Sequence, residues 1–408
     1  MTIPTLAEFE DAAAFLADVI VQTPFDVSEH LTEVIGAPVH LKLENLQRTG
    51  SFKIRGAAYR LSRLTPEERA RGVVAASAGN HAQGVARAAQ KLGIPATIFM
   101  PLGVPVPKLL ATRGYGAEVV LEGATVETPL RLAAEFAERT GAVLIHPFDH
   151  RDIIIGQGTL GLEIFDAVPD VATVVVGIGG GGLIAGVAGA VKARAVAAGR
   201  TVRVIGVQAE NSAAYPSSLA AGHPLSVDTS PTIADGIAVA RPGDVPFEMI
   251  SELVDEVVTV TDDDIARALL TLLERAKQVV EPAGAVGVAA MLAGKIHSDG
   301  PVVTILSGGN IDPLLLQRVV AHGLAASGRY MSLQIPLPDR PGQLARVSEL
   351  LAIAGANVIE VLHTRHGQGL QISEVILQLS VETRGEEHRA HVIDVLREAG
   401  FEPRVVQD

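Results

Sequence analysis

Short apolar runs recur along residues 39–306, and the stretches between them carry apolar side chains at helical spacing. Runs such as Val73–Ala76 and Val302–Leu306 are typical of strands that are buried on both faces of a parallel sheet. Because strands alternate with helices, the pattern predicts an α/β protein whose parallel sheets are covered by helices on both faces. The predicted strands are 39–44, 72–76, 96–100, 117–121, 143–145, 173–176, 202–207, 257–260 and 302–306.

Helices are predicted between these strands and before them, the first over residues 5–22, where Leu6 and Phe9 share one face. The βα units between about 51 and 150 could form a small lobe that is inserted in a larger lobe. Residues 1–328 would then be one domain of two doubly wound lobes. The other helices predicted in the small lobe are 80–92, 106–114 and 125–139.

The pattern changes after residue 328, and residues 329–408 are predicted to form a separate domain. Strands and helices follow one another there in the order βαββαβ, which is the order of a ferredoxin-like α+β fold. A tight turn is predicted at 366–369, between the second and third strands. The predicted strands are 330–337, 357–363, 370–379 and 402–406, and the predicted helices are 341–354 and 386–399.

Composition narrows the possible functions. The chain has 408 residues, a net charge of −13 and no cysteine. Nothing in it forms a basic patch, so a nucleic-acid partner is not expected. The missing cysteine excludes disulfides, thiol catalysis and cysteine-ligated metals, and it fits a cytoplasmic protein. The acidic start of the chain, residues 1–18, does not resemble a signal peptide.

One segment, 171–191, has no charged residue and is long enough to cross a bilayer. Its glycine run favours a different structure, in which a buried strand and a helix are joined by a loop. We therefore predict that this segment belongs to a parallel sheet and that the protein has no membrane partner.

Four consecutive glycines, Gly179–Gly182, stand between the predicted strand 173–176 and an apparent helix from Leu183. Glycine stabilises neither helix nor strand, so the run indicates a loop that presents bare N–H groups at a helix N-terminus. Such groups bind anions, most often phosphate. Residues 177–182 also fit the dinucleotide fingerprint, but the acidic residue expected after the next strand comes late, at Glu210.

Three further motifs indicate a ligand site at the ends of predicted strands. Lys53 stands among apolar residues in Ser51–Ala57, at the start of an apparent helix. Polar turns at Ser77–His81 and Ser307–Asn310 directly follow predicted strands, and each is predicted to open a helix. In an α/β sheet, ligands bind at the carboxyl ends of the strands, so these turns are expected to meet. A lone lysine in a first turn is more often a surface residue, and only the combination makes Lys53 a candidate.

Together, the four motifs resemble those of pyridoxal-phosphate enzymes of the tryptophan-synthase-β fold type. Within that group the chain is similar to the threonine ammonia-lyase (threonine dehydratase) family, over about residues 5–320 and with the motifs in family order. The resemblance implies two lobes with pyridoxal 5'-phosphate between them. The four motifs are Ser-Phe-Lys-Ile-Arg-Gly-Ala (51–57), Ser-Ala-Gly-Asn-His-Ala-Gln-Gly (77–84), Gly-Gly-Gly-Gly-Leu (179–183) and Ser-Gly-Gly-Asn (307–310).

The resemblance also implies roles for individual residues. Lys53 would bind the cofactor aldehyde covalently and act as the general base, and it must be neutral to do so. Asn80 would contact the ring hydroxyl, Phe52 would pack near the ring and Ser307 would bond the pyridine nitrogen. The implied cofactor-binding residues are Phe52, Lys53, Asn80, Gly179, Gly180, Gly181, Gly182, Leu183 and Ser307.

The helix that begins after the second motif offers N–H groups for the substrate carboxylate. For His81 the alternative is an ordinary polar residue of a first turn. The candidate substrate-binding residues are Ser77, Ala78, Gly79, Asn80 and His81.

Two departures from related serine racemases bear on the reaction. Those enzymes carry a serine acid–base group where this chain has Ala78, so racemisation is disfavoured. They also bind a divalent cation where this chain has Gln208 and Ala214, so no metal site is predicted. Glu281 could line the cofactor pocket or could cap the helix that begins at Pro282.

Residues 330–404, with Leu337–Leu344, resemble an ACT domain, which is a small amino-acid-binding regulatory module. The alternative is a purely structural dimerisation domain. ACT domains commonly pair across subunits, so the resemblance implies a homo-oligomer, a dimer or a tetramer. The candidate effector-binding residues, for isoleucine or valine, are Gly342, Gln343, Leu344 and Asn357.

The predicted function is the deamination of L-threonine to 2-oxobutanoate and ammonia, and of L-serine to pyruvate, under control by an amino acid. A racemase or a β-replacement synthase on the same fold is one alternative, and Ala78 argues against the racemase. A non-catalytic amino-acid sensor is another, and the intact Lys53 argues against it. An NAD site would leave Lys53 and Ser307 unexplained. Whether the role is isoleucine biosynthesis or threonine catabolism stays open.

Overall fold

The computed structural model describes residues 3–125, 127–365 and 373–406. The chain divides into two compact units, which join between Leu315 and Leu316. The first unit is an α/β structure with two parallel sheets, and the second is an α+β structure with one antiparallel sheet. The predicted fold class is therefore confirmed.

The strands of the first unit match the predicted ones closely, because each buried apolar run does form a strand. A short strand at the start, β1, was not predicted. The strands are β1 (Phe25–Val27), β2 (Val39–Lys42), β3 (Val73–Ala76), β4 (Ala96–Met100), β5 (Glu118–Leu121), β6 (Val143–Leu144), β7 (Thr173–Gly177), β8 (Arg203–Ala209), β9 (Glu256–Val260) and β10 (Val302–Ile305).

These strands form two separate sheets. The larger sheet has the order β1-β2-β10-β7-β8-β9, in which only β1 runs antiparallel to its neighbour. The smaller sheet has the order β5-β4-β3-β6 and is wholly parallel. The two lobes predicted from the sequence correspond to these two sheets, and the smaller sheet comes from the predicted block 51–150.

Helices cover both sheets, and several of those in the first unit begin or end at capping residues that are visible in the sequence. Thr5 and Thr65 form capping boxes at the starts of α1 and α4, and glycines in the left-handed conformation end α2 and α5. The helices are α1 (Leu6–Leu16), α2 (Glu29–Ile35), α3 (Lys53–Ser62), α4 (Pro66–Arg71), α5 (Asn80–Leu92), α6 (Val106–Gly114), α7 (Glu127–Thr140), α8 (Arg151–Ala167), α9 (Gly182–Ala197), α10 (Ala214–Ala221), α11 (Asp244–Leu253), α12 (Asp262–Thr271), α13 (Pro282–Leu292) and α14 (Pro313–Ala326).

Three details of the prediction are corrected. Helix α1 ends at Leu16 rather than at residue 22, because the chain turns there and buries Val19 in the core of the small lobe. Helix α4 was missed because none of its residues is buried, so it has no apolar period. The Ser307–Asn310 turn does not open a helix directly, since α14 begins at Pro313.

The apolar segment 171–191 forms strand β7, the glycine loop and part of α9, as predicted. Its side chains lie in the core of the large lobe, where Val174, Ile184 and Val187 are fully buried. Across the described ranges, no helix is both long and apolar enough to cross a bilayer.

Helix α14 spans the join between the two units, and after it the second unit contains the predicted order of two helices and four strands. Its sheet has the order β12-β13-β11-β14 and is antiparallel throughout, and its apolar face carries a core that includes Leu333, Leu377 and Leu396. The predicted turn 366–369 and the start of the strand predicted at 370–379 lie outside the described residues. The elements are β11 (Tyr330–Pro338), α15 (Gln343–Ile353), β12 (Asn357–Thr364), β13 (Glu374–Glu382), α16 (Glu386–Glu398) and β14 (Arg404–Val406).

Candidate active site

All four motifs of the first unit line one cavity, which has a volume of about 530 Å³. Its walls come from both lobes: α3 and the β3–α5 turn on one side, the β7–α9 loop and the end of β10 on the other. The sequence therefore predicted correctly that these segments meet at the carboxyl ends of parallel strands.

The glycine loop is shaped by its neighbours as well as by its own backbone. Gly181 has a φ of 99°, which favours glycine, and a Cβ there would collide with Tyr215. A Cβ on Gly180 or on Gly182 would strike Phe148. Side chains are thus excluded from the loop, and only its backbone can face a ligand.

The loop presents free donors to the cavity. In the described ranges, the backbone N–H groups of Gly179, Gly180 and Gly181 donate to no protein acceptor. The Gly180 carbonyl is turned the other way, since it accepts from Tyr215 Oη at 3.1 Å and from Gly243 N at 3.1 Å. Together with the N-terminus of α9, which begins at Gly182, these N–H groups form an anion cradle.

Lys53 is the first residue of α3, and its ammonium group reaches the cavity. Nζ donates to the Pro147 carbonyl at 3.0 Å and lies 5.2 Å from the centre of the Phe52 ring. Burial lowers the pKa of Lys53 to about 8, and the negative charge of Glu281 only partly opposes this shift. About a tenth of the lysine is therefore neutral at pH 7, far more than for a lysine with an ordinary pKa, and the neutral amine is the form that acts as a nucleophile.

The lysine motif and the Ser307 turn are hydrogen-bonded to each other. Phe52 N donates to the Ser307 carbonyl at 3.1 Å, and Gly309 N donates to the Gly50 carbonyl at 2.9 Å. Ser51 and Gly308 form an isolated antiparallel bridge. This pairing holds the Ser307 side chain, which is buried at the cavity wall, in a constant position relative to Lys53.

Asn80 begins α5 and faces Glu281 across the cavity. Its Nδ2 donates to Glu281 Oε1 at 2.6 Å. Glu281 is the N-terminal cap residue of α13 by position, but its carboxylate makes no cap hydrogen bond to that helix. Of the two roles considered for Glu281, the structure therefore favours lining the pocket. Burial raises the pKa of Glu281 to about 7, although the positive charge of Lys108 opposes the shift.

The other predicted substrate-binding residues surround the start of α5. Ser77, Ala78 and Gly79 line the cavity, and Gly79 N donates to Ser77 Oγ at 3.1 Å. His81 is buried, and its Nε2 donates to the Ile145 carbonyl at 2.8 Å. Burial lowers the pKa of His81 to about 3, so the ring is neutral and one nitrogen has a structural hydrogen bond.

Sequence reasoning missed two features of the cavity. His146 lines it next to Lys53, and its Nδ1 accepts from Asp149 N at 2.8 Å, so its proton is on Nε2. Lys108 of α6 and Asp235 of the opposite lobe both line the cavity, and Lys108 Nζ lies 3.8 Å from Asp235 Oδ2. Only the position of His146, just after a predicted strand, could have indicated it. Nothing in the local sequence pairs Lys108 with Asp235.

A buried ionic network holds the base of α3. Arg55 is fully buried and binds Glu44 through Nε at 2.9 Å and Nη2 at 2.8 Å, while its Nη1 binds Glu163 at 2.6 Å. Lys42 Nζ lies 2.6 Å from the other oxygen of Glu163. Burial alone would raise the pKa of Glu44, but the charge and hydrogen bonds of Arg55, together with the Thr23 hydrogen bond and the charge of Lys42, outweigh it and lower that pKa. The network joins β2, α3 and α8 beneath Lys53.

Gln208, at the position where no metal site was predicted, supports the glycine loop. Gln208 is buried, and its Oε1 accepts from Tyr215 N at 2.9 Å. It thereby supports the tyrosine that holds the Gly180 carbonyl. Among the residues that the structure describes, no three His, Cys, Asp or Glu side chains cluster as a metal would need. The predicted absence of a metal stays a prediction.

In the second unit, the four candidate effector residues do not lie together within one chain. Gly342 has a φ of 90° and is the N-cap residue of α15, which begins with Gln343 and Leu344 shortly after the end of β11. Asn357 begins β12 and pairs with Glu382, which in turn pairs with the start of β11. The two groups are separated by the length of β11, roughly 26 Å for the eight steps from Tyr330 to Pro338 at ~3.3 Å per residue.

Comparison with known proteins now defines the class. Residues 16–308 match the family model for pyridoxal-phosphate dependent enzymes, and residues 331–401 match the ACT domain. The chain therefore belongs to the pyridoxal-phosphate dependent enzymes, and it has a C-terminal ACT domain.

Individual relatives lie within this class. The chain is 48% identical over 403 residues to an L-threonine ammonia-lyase of Thermotoga maritima, covering 98% of this chain and 99% of that protein. The processed threonine deaminase isoform 2 of Solanum lycopersicum matches with a TM-score of 0.73 and 37% identity, over 78% of this chain and 93% of that one. Maize serine racemase matches with a TM-score of 0.73 and 35% identity, over 79% and 99%.

The residues of the cavity fit pyridoxal phosphate. The glycine loop supplies unbonded N–H groups where the phosphate would bind, and a Cβ on Gly180, Gly181 or Gly182 would collide with the protein packed behind the loop. Lys53 supplies an amine whose pKa is low enough to react with an aldehyde. Ser307 supplies a hydroxyl and Asn80 an amide at the cavity walls, where the cofactor ring would lie between Lys53 and the glycine loop.

Proposed function

We propose that the protein is a carbon–nitrogen lyase that uses pyridoxal 5'-phosphate to deaminate L-threonine to 2-oxobutanoate and ammonia, and L-serine to pyruvate. The observation that supports this best is the arrangement of Lys53 and the free N–H groups of the glycine loop in one cavity. Relatives named as threonine ammonia-lyases, one of them 48% identical over nearly the whole chain, support the choice of substrate.

Lys53 would hold the cofactor covalently until the substrate amine displaces it. The bound cofactor supplies an electron sink for the substrate Cα. The freed Lys53 amine would then take the Cα proton as general base. The β-hydroxyl would leave with its bonding electrons and a proton, as water, and hydrolysis of the resulting enamine would give the 2-oxo acid and ammonia.

The neighbours of Lys53 would orient the reaction. The start of α5 would bind the substrate carboxylate through the N–H groups of Ala78 and Asn80, because Ser77 N already donates to the Phe99 carbonyl and Gly79 N to Ser77 Oγ. Lys108 adds a positive charge on the same side, since a Cβ on Gly79 would lie 3.8 Å from its Nζ. His81 is engaged with Ile145, so we assign it a supporting role in this turn rather than a proton-transfer role.

The rival function on this fold is amino-acid racemisation, which the similarity to maize serine racemase makes specific. Ala78 opposes it, because an alanine at the cavity wall cannot return a proton to the second face of Cα. A lyase that lacks this group should give 2-oxo acid without D-amino acid.

Residues 1–328 would be the catalytic domain, with the small lobe at about 51–150, and residues 329–408 would be the regulatory ACT domain. The predicted effector is isoleucine or valine. Because Asn357 lies far from Gly342–Leu344 within one chain, a site that includes both would need two copies of the domain. We therefore propose a homo-oligomer, and we place it in the cytoplasm. Ile359 and Leu362 are each 54% exposed on the edge strand β12, which supports pairing of two copies along that strand.

One assay tests the proposal. Purified protein is incubated with L-threonine or L-serine, and 2-oxo acid is measured with and without isoleucine and valine. We expect a yellow protein that forms 2-oxobutanoate at a rate that depends on the effector. A colourless protein that takes up no pyridoxal phosphate and forms no 2-oxo acid would refute it.

A further inference from the structure

Asn310, the last residue of the Ser307 turn, is hydrogen-bonded to the side chain that faces the cavity from α5. Its Nδ2 donates to Asn80 Oδ1 at 2.8 Å and to the Thr49 carbonyl at 2.7 Å. Asn80 Nδ2 in turn donates to Glu281 Oε1 at 2.6 Å. These bonds form a chain from a backbone carbonyl, through two amides, to a buried carboxyl group.

This series of hydrogen bonds has only one possible direction. The Thr49 carbonyl can only accept, so the group of Asn310 that faces it must be the NH2 group. The same NH2 group faces Asn80, so the atom of Asn80 that it meets must be the oxygen. Asn80 therefore turns its own NH2 group towards Glu281 and the cavity. The orientation of Asn80 follows from the Thr49 carbonyl and does not depend on how amide atoms were assigned.

The backbone around Asn310 is adapted to this position. Thr49 is not a glycine, yet its φ of 66° lies in the left-handed region, which costs about 1 kcal/mol or more. Gly50 has a φ of 70°, and a Cβ there would collide with the Asn310 side chain. The polypeptide thus has a strained backbone at Thr49 and no side chain at Gly50, the two positions that surround the amide of Asn310.

We propose that Asn310 is a positioning residue for the cofactor site: it fixes the Asn80 amide so that NH2, and not oxygen, faces the cofactor ring hydroxyl. This inference rests on the proposed placement of the cofactor beside Lys53 and Asn80. An amide N–H at that place stabilises the ionised ring oxygen, whereas a reversed amide would present a second acceptor to it.

Asn310→Asp tests the direction of the chain, because it keeps the shape of the side chain and replaces the NH2 group by an acceptor. Asn80 can then bond to the new carboxylate only by turning its own NH2 group away from the cavity. The full-length apoprotein should bind pyridoxal phosphate about tenfold more weakly. The pH at which the visible absorbance of the bound cofactor changes should rise by about one unit.

Two further variants distinguish a specific loss of Asn80 positioning from a general loss of structure. Asn211→Asp is the matched control, since Asn211 Nδ2 also donates to a backbone carbonyl, that of Pro231, at 2.7 Å, but away from the cavity. It should leave cofactor affinity within about twofold of the parent. Asn310→Ala, which removes the donor without adding a charge, should weaken binding less than Asn310→Asp and serves if the aspartate variant does not fold.

The double variant decides how Asn310 acts. If Asn310 works through Asn80, adding Asn310→Asp to Asn80→Ala should weaken cofactor binding by less than about twofold more. An equal loss in both backgrounds would overturn the inference, because Asn310 would then act through Thr49 alone. Parent-like affinity and absorbance in Asn310→Asp would overturn it as well.

Borohydride reduction distinguishes the failure of this inference from the failure of the proposed function. If the parent protein takes no label at Lys53, the proposed function is wrong. If Lys53 is labelled in the parent and in every variant while affinity and absorbance stay unchanged, only the role of Asn310 is wrong.

Discussion

Helices α9 and α15 each have a glycine in the left-handed conformation as their N-cap residue, yet the surroundings of the two glycines are opposite. Gly181 has a φ of 99° and Gly342 a φ of 90°, and neither helix has a side-chain cap at its start. A Cβ on Gly181 would collide with Tyr215, whereas a Cβ on Gly342 would meet nothing within 4 Å. The backbone conformation of the two glycines is therefore similar, but Gly181 is enclosed by other side chains and Gly342 is not.

The difference concerns what a single chain can bind. Both helix starts offer N–H groups to an anion. Around Gly181 the same unit also supplies walls from Phe148 and Ile237 and the Lys53 amine, so one chain forms the whole pocket. Around Gly342 the surface is open, and Asn357 lies at the far end of the sheet. Enclosure, rather than the glycine itself, separates the catalytic pocket from the proposed effector site.

The largest expected effect is at the lysine of the enclosed pocket. Lys53→Ala should lower lyase activity by at least about 10³-fold, because it removes both the covalent attachment and the general base. Phosphate binding at the glycine loop should survive, so the variant should still bind pyridoxal phosphate, but borohydride should no longer fix it. Lys91→Ala is the control, since Lys91 is exposed and donates to the Asp18 carbonyl. Residual activity above about a tenth of the parent rate would contradict this role.

The comparison itself is tested by one substitution at each glycine. Gly181→Ala should weaken cofactor binding by about 100-fold or prevent folding, because left-handed strain and the collision with Tyr215 add together. Gly342→Ala should cost only about 1 kcal/mol of stability, because only the left-handed strain is present. Titration of each apoprotein with pyridoxal phosphate and thermal unfolding would measure both. Equal losses at the two sites would show that enclosure is not the difference.

Truncation separates the two regions. A chain that ends at Gly328 should keep lyase activity within about threefold of the full chain and lose its response to isoleucine and valine. The expectation follows because every residue that lines the cavity lies before Gly328. Initial rates of 2-oxo acid formation over a range of effector concentrations would test it. A truncated protein that still responds would place the effector site in the first unit.

The same contrast explains which features sequence reasoning could predict. The glycine run, Lys53 and Ser307 were found because each stands just after a buried apolar run or at a helix start, and that position is visible in the sequence. The parallel order of strands then brings them together. Local pattern and topology were sufficient for the motifs of the pocket.

The features that were missed depend on distant contacts. Lys108 and Asp235 approach across the cavity from two lobes, and Asn310 meets Asn80 across 230 positions of sequence. Helix α4 has no buried face and so no apolar period. Asn357 was grouped with Gly342 although the antiparallel register places the two at opposite ends of one chain. A pattern of single residues does not contain such pairings.

The charge state of the enclosed pocket gives a smaller and graded prediction. Because burial lowers the pKa of Lys53 to about 8, the neutral amine increases about tenfold per pH unit below that value and levels off above it. The rate at which apoprotein takes up pyridoxal phosphate, followed by visible absorbance, should rise with pH in the same way. Glu281→Gln removes a negative charge that raises this pKa, so the midpoint should move down, while Glu210→Gln should leave it unchanged. A midpoint near the ordinary lysine pKa of about 10.4 in the parent would show that burial does not lower the pKa of Lys53.

The smallest expected effect is at Ala78, where the pocket lacks a group rather than contains one. Ala78 lines the cavity beside Ser77 and Gly79, and its methyl group cannot carry a proton. The parent should therefore form 2-oxo acid from L-serine with little or no D-serine. Ala78→Ser should introduce detectable D-serine while lowering elimination by no more than about tenfold, because a hydroxyl replaces one hydrogen and the donors around it remain. Chiral analysis of residual serine after partial turnover measures both, and Ala213→Ser, outside the cavity lining, is the control. D-serine formed by the parent at a rate near that of pyruvate would show that another group on the second face of the substrate returns the proton.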